Sequence, residues 1–283
     1  MNRSAQVSDR HEPESGWIGR SLERVEDGAL LTGRGRFMDD LGVAPGTLYA
    51  AILRSPHAHA DITLMDIAAA KAAPGVAAVL TGADITASTA SLVVGVKAPV
   101  ECWPIAVDRV RYVGEPVAVV VASDRYKAED AVDLIDVRYQ VRAAVTDPVA
   151  AISPHAALLH DGFPANVASD RRFRYGDPEA AFASARRVTI DIRYPRNSCT
   201  PIETYGVVAS YDPLENAFDI LANFQGPFSI HAVISRALKV PGNRLRLRTP
   251  PDSGGSFGVK QGVFPYIVLI AAAARACGRP VKW

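Results

Sequence analysis

The sequence predicts an α+β fold, and three observations carry that prediction. Apolar runs of strand length recur along the chain, separated by short helices with recognisable caps. Proline–glycine pairs and acidic cap residues punctuate the junctions. A glycine-crowded segment, Ser253-Gly-Gly-Ser-Phe-Gly-Val-Lys260, lies between an alternating run and a long apolar helical run.

Residues 1–16 are polar, lack the apolar stretch of a leader peptide, and read as a disordered N-terminus. From Trp17 to Gly42 the chain is charged and glycine-rich. Thr47–Leu53 reads as a strand. Asp66 caps a short helix through Ala73, which Pro74-Gly75 ends before the strand Val76–Leu80. A loop-rich stretch follows, then Pro116–Ala122, a valine run of the kind buried inside a sheet. Ser123 or Asp124 caps a helix to Asp133, and Leu134–Tyr139 is a further strand. Residues 17–145 therefore form a first domain of strands and helices. Residues 146–175, rich in Ala, Pro, His and Asp without a period, read as a connector crossing the surface.

Residues 176–283 form the second region. Asp177-Pro178 starts a helix to Ala185. Val188–Tyr194 alternates like a strand, and Gly206–Tyr211 and Phe218–Ala222 flank Asp212–Asn216 as a hairpin. Phe228–Leu238 is helical until Pro241-Gly242-Asn243 stops it, and Arg244–Arg248 is a strand alternating Arg with Leu. After the glycine segment, Pro265 starts a helix through Cys277, with Gly278 placed to cap it. Gly278–Trp283 reads as the start of a strand. This domain is expected to be incomplete, and the chain alone poorly soluble or oligomeric, because an unfinished sheet edge is sticky.

Composition narrows the function classes. At 283 residues there is room for two domains, and 48% hydrophobic with 22% charged residues reads as soluble and globular. A net charge of +1 gives no case for nucleic acid or an anionic membrane. Val263–Ala276 is too short for a membrane span. Cys102, Cys199 and Cys277 are too scattered for a disulfide framework or a CxxC metal motif. They are expected to be small buried apolar residues in a reducing cytoplasm.

In the glycine segment, Gly254, Gly255 and Gly258 allow positive φ and close backbone approach. Two readings stay open: a backbone-built cofactor cradle, or a plain tight loop. The segment lacks the Gly-Lys-Ser/Thr ending of a Walker loop and the spacing of a dinucleotide fingerprint. His57 and His59 would share one face of a strand, but no third ligand accompanies them and a structural role is favoured. Glu115, held extended before Pro116, reads as a buried structural carboxylate, and Glu203 as half of a structural ion pair. Arg244, Arg246 and Arg248 form a positive face suited to phosphates, a partner or solvent.

Seven segments stand in one order: Arg34-Gly-Arg-Phe-Met-Asp-Asp40, Arg54-Ser-Pro-His-Ala-His-Ala60, Val110-Arg-Tyr-Val-Gly-Glu-Pro116, Pro201-Ile-Glu203, Gln225 within Asn-Phe-Gln-Gly-Pro, Gly254-Gly-Ser-Phe-Gly258 and Arg279-Pro-Val-Lys-Trp283. Together they resemble the N-terminal part of the molybdenum-binding large subunit of the xanthine dehydrogenase/aldehyde oxidase superfamily, nearest its carbon monoxide dehydrogenase-type branch. The resemblance implies an α/β hammerhead domain followed by the first, incomplete part of a molybdopterin-binding domain. It implies a component of a molybdenum-dependent hydroxylase that oxidises an aldehyde, an N-heterocycle or carbon monoxide with water-derived oxygen. The implied cofactor is molybdenum–molybdopterin in its cytosine dinucleotide form. The implied partners are 2Fe-2S and FAD subunits, a complementary chain bearing the general-base glutamate, and a small-molecule substrate.

Carried over by position, Gln225 would hydrogen-bond an oxo ligand on molybdenum. Gly254, Gly255, Ser256, Phe257 and Gly258 would pack at the metal with backbone N–H groups as donors. No residue of this chain is expected to be catalytic or to ligate the metal directly. An amide suits Gln225's role because it donates without adding charge; the plainer reading is a strand-end residue capping the next helix. The family's usual loop is Gly-Gly-Gly-Phe-Gly, so Ser256 either supplies a hydrogen bond or disfavours a glycine-only geometry. Purine-type members often carry glutamate where this chain has Gln261, which argues against a xanthine-like substrate. The alternative function is a structural or assembly fragment that keeps the fold without metal.

Overall fold

A computed structural model describes residues 17–93, 102–195 and 197–283; the tail expected to be disordered, 1–16, lies outside them. The chain divides into two compact units, Met1–Gly35 and Arg36–Trp283. In the first, a single helical turn, Asp27–Leu30, is followed by Thr32, whose hydroxyl donates to the Gly28 carbonyl at 2.6 Å.

The second unit is built on ten strands among the described residues: β1 Leu48–Arg54, β2 Ala60–Asp66, β3 Val76–Thr81, β4 Arg109–Val110, β5 Pro116–Ala122, β6 Asp136–Val141, β7 Val207–Asp212, β8 Ala217–Ala222, β9 Leu245–Arg248 and β10 Val281–Lys282. The main sheet has the order β3-β5-β1-β10-β7-β8-β9, and β4-β2-β6 form a second sheet. Strands from both sides of residue 145 thus share one sheet. The parallel pairs are β1 with β10 and β8 with β9.

Every residue of β5 is buried, because both of its faces are covered. Val119 and Val121 face the main core, and Val120 points the other way into a cluster with Ala70, Val79 and Ala131. Burying each valine contributes roughly 1.5–3 kcal/mol. The main core also takes in the helices Pro227–Ala237 and Phe264–Cys277. The latter is apolar around most of its circumference, as a core helix must be. On the opposite face the helices Ala68–Ala72 and Arg125–Val132 are capped as the sequence predicts. The Asp66 carboxylate accepts from Ala68 N–H at 2.9 Å, and Asp124 from Lys127 N–H at 3.0 Å.

Several expectations are corrected. Val188–Tyr194 forms no strand among the described residues: Val188, Ile190, Ile192 and Tyr194 are all more than two-thirds exposed. Alternation prepares a strand, but a ladder needs a second backbone to bond to. His57 and His59 are not on a strand, since β1 ends at Arg54 and β2 begins at Ala60. The His57 ring meets Tyr139 edge-on at 5.0 Å, and buried His59 places Nδ1 2.9 Å from the Ala143 carbonyl. Cys102 and Cys199 are exposed rather than buried, the latter beside exposed neighbours at 197, 198 and 200; Cys277 is half-buried. The loop-rich stretch before β5 contains the helix Gly82–Ser88, capped by Asp84 accepting from Thr81 N–H at 2.8 Å.

The connector 146–175 has local structure. Asn166 bridges Leu159 N–H and the Ala151 and Ala157 carbonyls, and Asp161 pairs with Arg109 at 2.9 Å. Among the described residues, no helix is long and apolar enough to cross a membrane.

Candidate functional site

The glycine segment leaves β9 and ends where the short helix Val259–Gly262 begins. Asp252 fixes the approach: its carboxylate accepts from Arg36 N–H at 2.7 Å, while its own N–H donates to the Arg36 carbonyl at 3.3 Å. The next anchor is Glu203. Its Oε1 accepts from Met38 N–H at 3.1 Å, and its Oε2 from Gly254 N–H at 2.9 Å and from Lys260 Nζ at 2.7 Å. Lys260 is 2% exposed. Burial alone would push the Glu203 carboxyl up, but the Lys260 ammonium and the two backbone donors outweigh it and hold the group below the usual range. The ion pair read from the sequence for Glu203 thus has a named partner and a role: it ties both ends of the glycine segment to one carboxylate.

Gly254 fits this arrangement only as glycine. A Cβ there would lie 2.3 Å from the Glu203 Cβ. The crown, residues 255–258, differs. Gly255 has φ 100°, Phe257 φ 51° and Gly258 φ 90°, whereas Ser256 is not in the left-handed region. Serine therefore costs no backbone strain at its position, and the strained side chain is Phe257, at roughly 1–2 kcal/mol. The residue is 73% exposed. Among the described residues, no acceptor takes the N–H groups of Gly255, Ser256, Phe257 or Gly258.

Gln225 arrives from the end of β8, just before the helix Pro227–Ala237. Its N–H donates to the Lys260 carbonyl at 3.4 Å. The Ser256 hydroxyl donates to Gln225 Oε1 at 2.6 Å, and among the described residues the carboxamide nitrogen donates to nothing. Neighbouring Asn223, almost fully buried, braces the strand end, accepting from Gly206 N–H at 2.8 Å and donating to the Thr204 carbonyl at 2.7 Å. The structure therefore brings Gln225, Gly254, Gly255, Ser256, Phe257 and Gly258 together. The crown and the amide offer donors, and the adjacent carboxylate is already occupied.

An open cavity of about 1220 Å³ lies on the Glu203–Gly254 side, walled by Phe37, Met38, Tyr49, Tyr205 and Trp283 among others. It touches the glycine segment at Gly254 and does not include Gln225 or Phe257. Trp283 stacks on Tyr266 at 4.6 Å beneath the Arg54 guanidinium.

Other candidates resolve as structural. Glu115 is buried and accepts from Arg111 N–H at 2.5 Å, with burial pushing its carboxyl up. Arg248 and Arg246 pair with Asp219 at 2.7 and 3.8 Å, and Arg244 pairs with Glu215. The positive face is thus matched by carboxylates.

The chain is similar to known proteins over most of its length. Residues 32–143 match the a/b hammerhead domain of aldehyde oxidase and xanthine dehydrogenase, and residues 159–283 match the molybdopterin cofactor-binding domain. The nicotine 6-hydroxylase large subunit of Paenarthrobacter nicotinovorans is 38% identical over 94% of this chain and 33% of its own length. The carbon monoxide dehydrogenase large chain of Afipia carboxidovorans is 35% identical over 94% of this chain and 34% of its own. The crystal structure of quinoline 2-oxidoreductase from Pseudomonas putida 86 superposes with a TM-score of 0.83 at 38% identity, covering 94% of this chain and 34% of that one. Fold and motifs together define a hammerhead unit joined to a molybdopterin-domain segment. The chain belongs to the xanthine dehydrogenase and aldehyde oxidase family, and it spans about a third of the length of these relatives.

Proposed function

We propose that the chain supplies one wall of a molybdenum–molybdopterin site in a multi-subunit oxidoreductase. The observation that carries this reading is the crown of the glycine segment: four consecutive N–H groups that find no acceptor among the described residues, beside a carboxamide whose nitrogen donates to none of them either. That donor set fits a group presenting oxygen and sulfur acceptors, since the adjacent Glu203 carboxylate is already taken by Met38, Gly254 and Lys260. When bound, the molybdenum group supplies oxygen transfer and two-electron chemistry. The chain's own residues bind and orient it: residues 255–258 donate through the backbone, and Gln225 donates through Nε2. Phe257 sets an apolar ring beside Gly255, where it would exclude water. Glu203 and Lys260 keep the crown in place.

On this reading residues 17–145 are the hammerhead domain, 176–283 the beginning of the molybdopterin-binding domain, and 146–175 their connector. The reaction class is oxidation of an aldehyde, an N-heterocycle or carbon monoxide with oxygen from water; relatives named for nicotine, quinoline and carbon monoxide support that range. The cytosine dinucleotide form of the cofactor, iron–sulfur and FAD subunits, a complementary chain and a cytoplasmic location complete the proposal.

The test is co-production with the complementary large-subunit segment and the iron–sulfur and flavin subunits, followed by metal analysis of the purified complex. Stoichiometric molybdenum is expected, and replacing Gly255 and Gly258 together by valine should remove most of it. A folded complex that stays metal-free in a host making the cofactor would sink the reading.

A further inference from the structure

The serine at 256 has no role in the function proposed above beyond its backbone N–H, yet among the described residues it is its hydroxyl that bonds the Gln225 carboxamide. A glutamine amide has two chemically opposite ends, an acceptor oxygen and a donor nitrogen, and rotating the group by half a turn exchanges them. Whichever end the protein holds, the other faces the ligand. Here the hydroxyl proton of Ser256 goes to Oε1 at 2.6 Å, a short distance for such a bond. The backbone on either side is held as well. Gln225 N–H bonds the Lys260 carbonyl, and Lys260 is tied to Glu203, so glutamine and serine are presented from two anchored segments. Ser256 is the crown residue that avoids the left-handed region among positions 255–258, so a Cβ is tolerated there without strain.

We infer that Ser256 is a positioning residue: by donating to Gln225 Oε1 it sets the carboxamide so that Nε2 points its N–H groups at the bound cofactor. This rests on the molybdenum-site reading. With glycine or alanine at 256 the amide keeps its place on the backbone but loses the bond that selects its orientation. Part of the population then turns an oxygen lone pair toward an oxygen-bearing ligand, which repels it. Water competes for the serine–glutamine bond while the crown is open, and a bound cofactor would exclude that water and strengthen the selection.

The experiment uses the assembled, molybdenum-loaded complex in wild-type form and as S256A, S256G, S256T, Q225A and the double variant Q225A/S256A. The primary readout is the paramagnetic resonance signal of the molybdenum centre after partial reduction with dithionite, which reports hydrogen bonding at the metal and needs no known substrate. S256A and S256G should both keep wild-type molybdenum content and shift or broaden that signal. S256T should restore it, and S256A should change nothing further once Gln225 is alanine. Quinoline, nicotine and carbon monoxide are tried in turn as substrates. With whichever one the wild type turns over, kcat should fall about 3–10-fold in S256A, the size expected for one lost hydrogen bond, with KM nearly unchanged.

Superimposable signals in wild type and S256A, with molybdenum present in both, would overturn the inference and leave the site reading intact. So would failure of S256T to rescue, or a loaded structure in which Nε2 donates to the serine oxygen. Absence of molybdenum from the wild-type complex takes down the reading and this inference with it.

Discussion

The two ends of the glycine segment and its crown are neighbours in sequence and opposites in environment. Gly254 and Lys260 are bound to one carboxylate, and the lysine side chain is 3% exposed. Between them Phe257 is 73% exposed, with a backbone angle that side-chain-bearing residues rarely adopt, and among the described residues the crown's N–H groups have no acceptor. The difference teaches how a protein keeps an unfavourable surface open. Left alone, such a loop would relax its φ angles and turn its donors inward. Fixed ends, held by a buried ion pair whose carboxylate also takes two backbone N–H groups, remove that freedom, and the strain stays where a ligand can use it.

The largest effect should come from breaking the anchor. Lys260→Met leaves the Glu203 carboxylate without its counter-charge and should cost about 3–5 kcal/mol in urea unfolding at constant m-value. A variant as stable as wild type would show that the ends are held by something else. Next, Gly254→Ala forces a methyl into the Glu203 Cβ and should destabilise by about 1–3 kcal/mol.

Acid should loosen the same anchor. The folded-state pKa of Glu203 lies below the usual carboxylate value near 4.3, so its contribution is complete above that value and disappears as pH falls through the depressed one. Melting temperatures measured from pH 7 to pH 3 should therefore fall further for wild type than for E203Q, which starts lower and has no such carboxyl to protonate. Parallel curves would contradict the assignment. The smallest effect, and one of opposite sign, belongs to the crown. Phe257→Gly relieves a left-handed angle while giving up little buried area, and should stabilise the chain by up to about 1 kcal/mol. A loss of stability there would mean that the ring packs more than its exposure indicates.

How much of this was legible in the sequence depended on whether the cause was local. The valine run of β5 and the helix caps at Asp66 and Asp124 declare themselves within a few residues, and the structure has them where they were expected. The position of the glycine segment between β9 and a helix was equally readable. The anchor was not: Glu203 and Lys260 lie 57 residues apart, and Ser256 and Gln225 lie 31 apart, so no periodicity joins either pair. The ordered family motifs pointed to Gln225 and the loop without saying what holds them. Val188–Tyr194 failed for the complementary reason. Its alternation is as regular as that of a true strand, but pairing is a property of two segments and only one was being read. β2 was missed because Ala60–Asp66 buries little beyond its first residue, leaving a weak pattern.

The strand β10 has a consequence for how the chain is made. It lies between β1 and β7 in the main sheet, and Leu48 pairs with Val281. As the polypeptide leaves the ribosome, β1 can find β5 on one side early, but its other edge must wait until Val281 emerges. At roughly 5–20 residues per second that interval is on the order of ten seconds or more. Throughout it, a strand with one bare edge is open to any other unpaired segment in the cell. Whatever shields β1 during those seconds, a chaperone or the speed of translation itself, governs the yield of folded protein as surely as any side chain in the finished core.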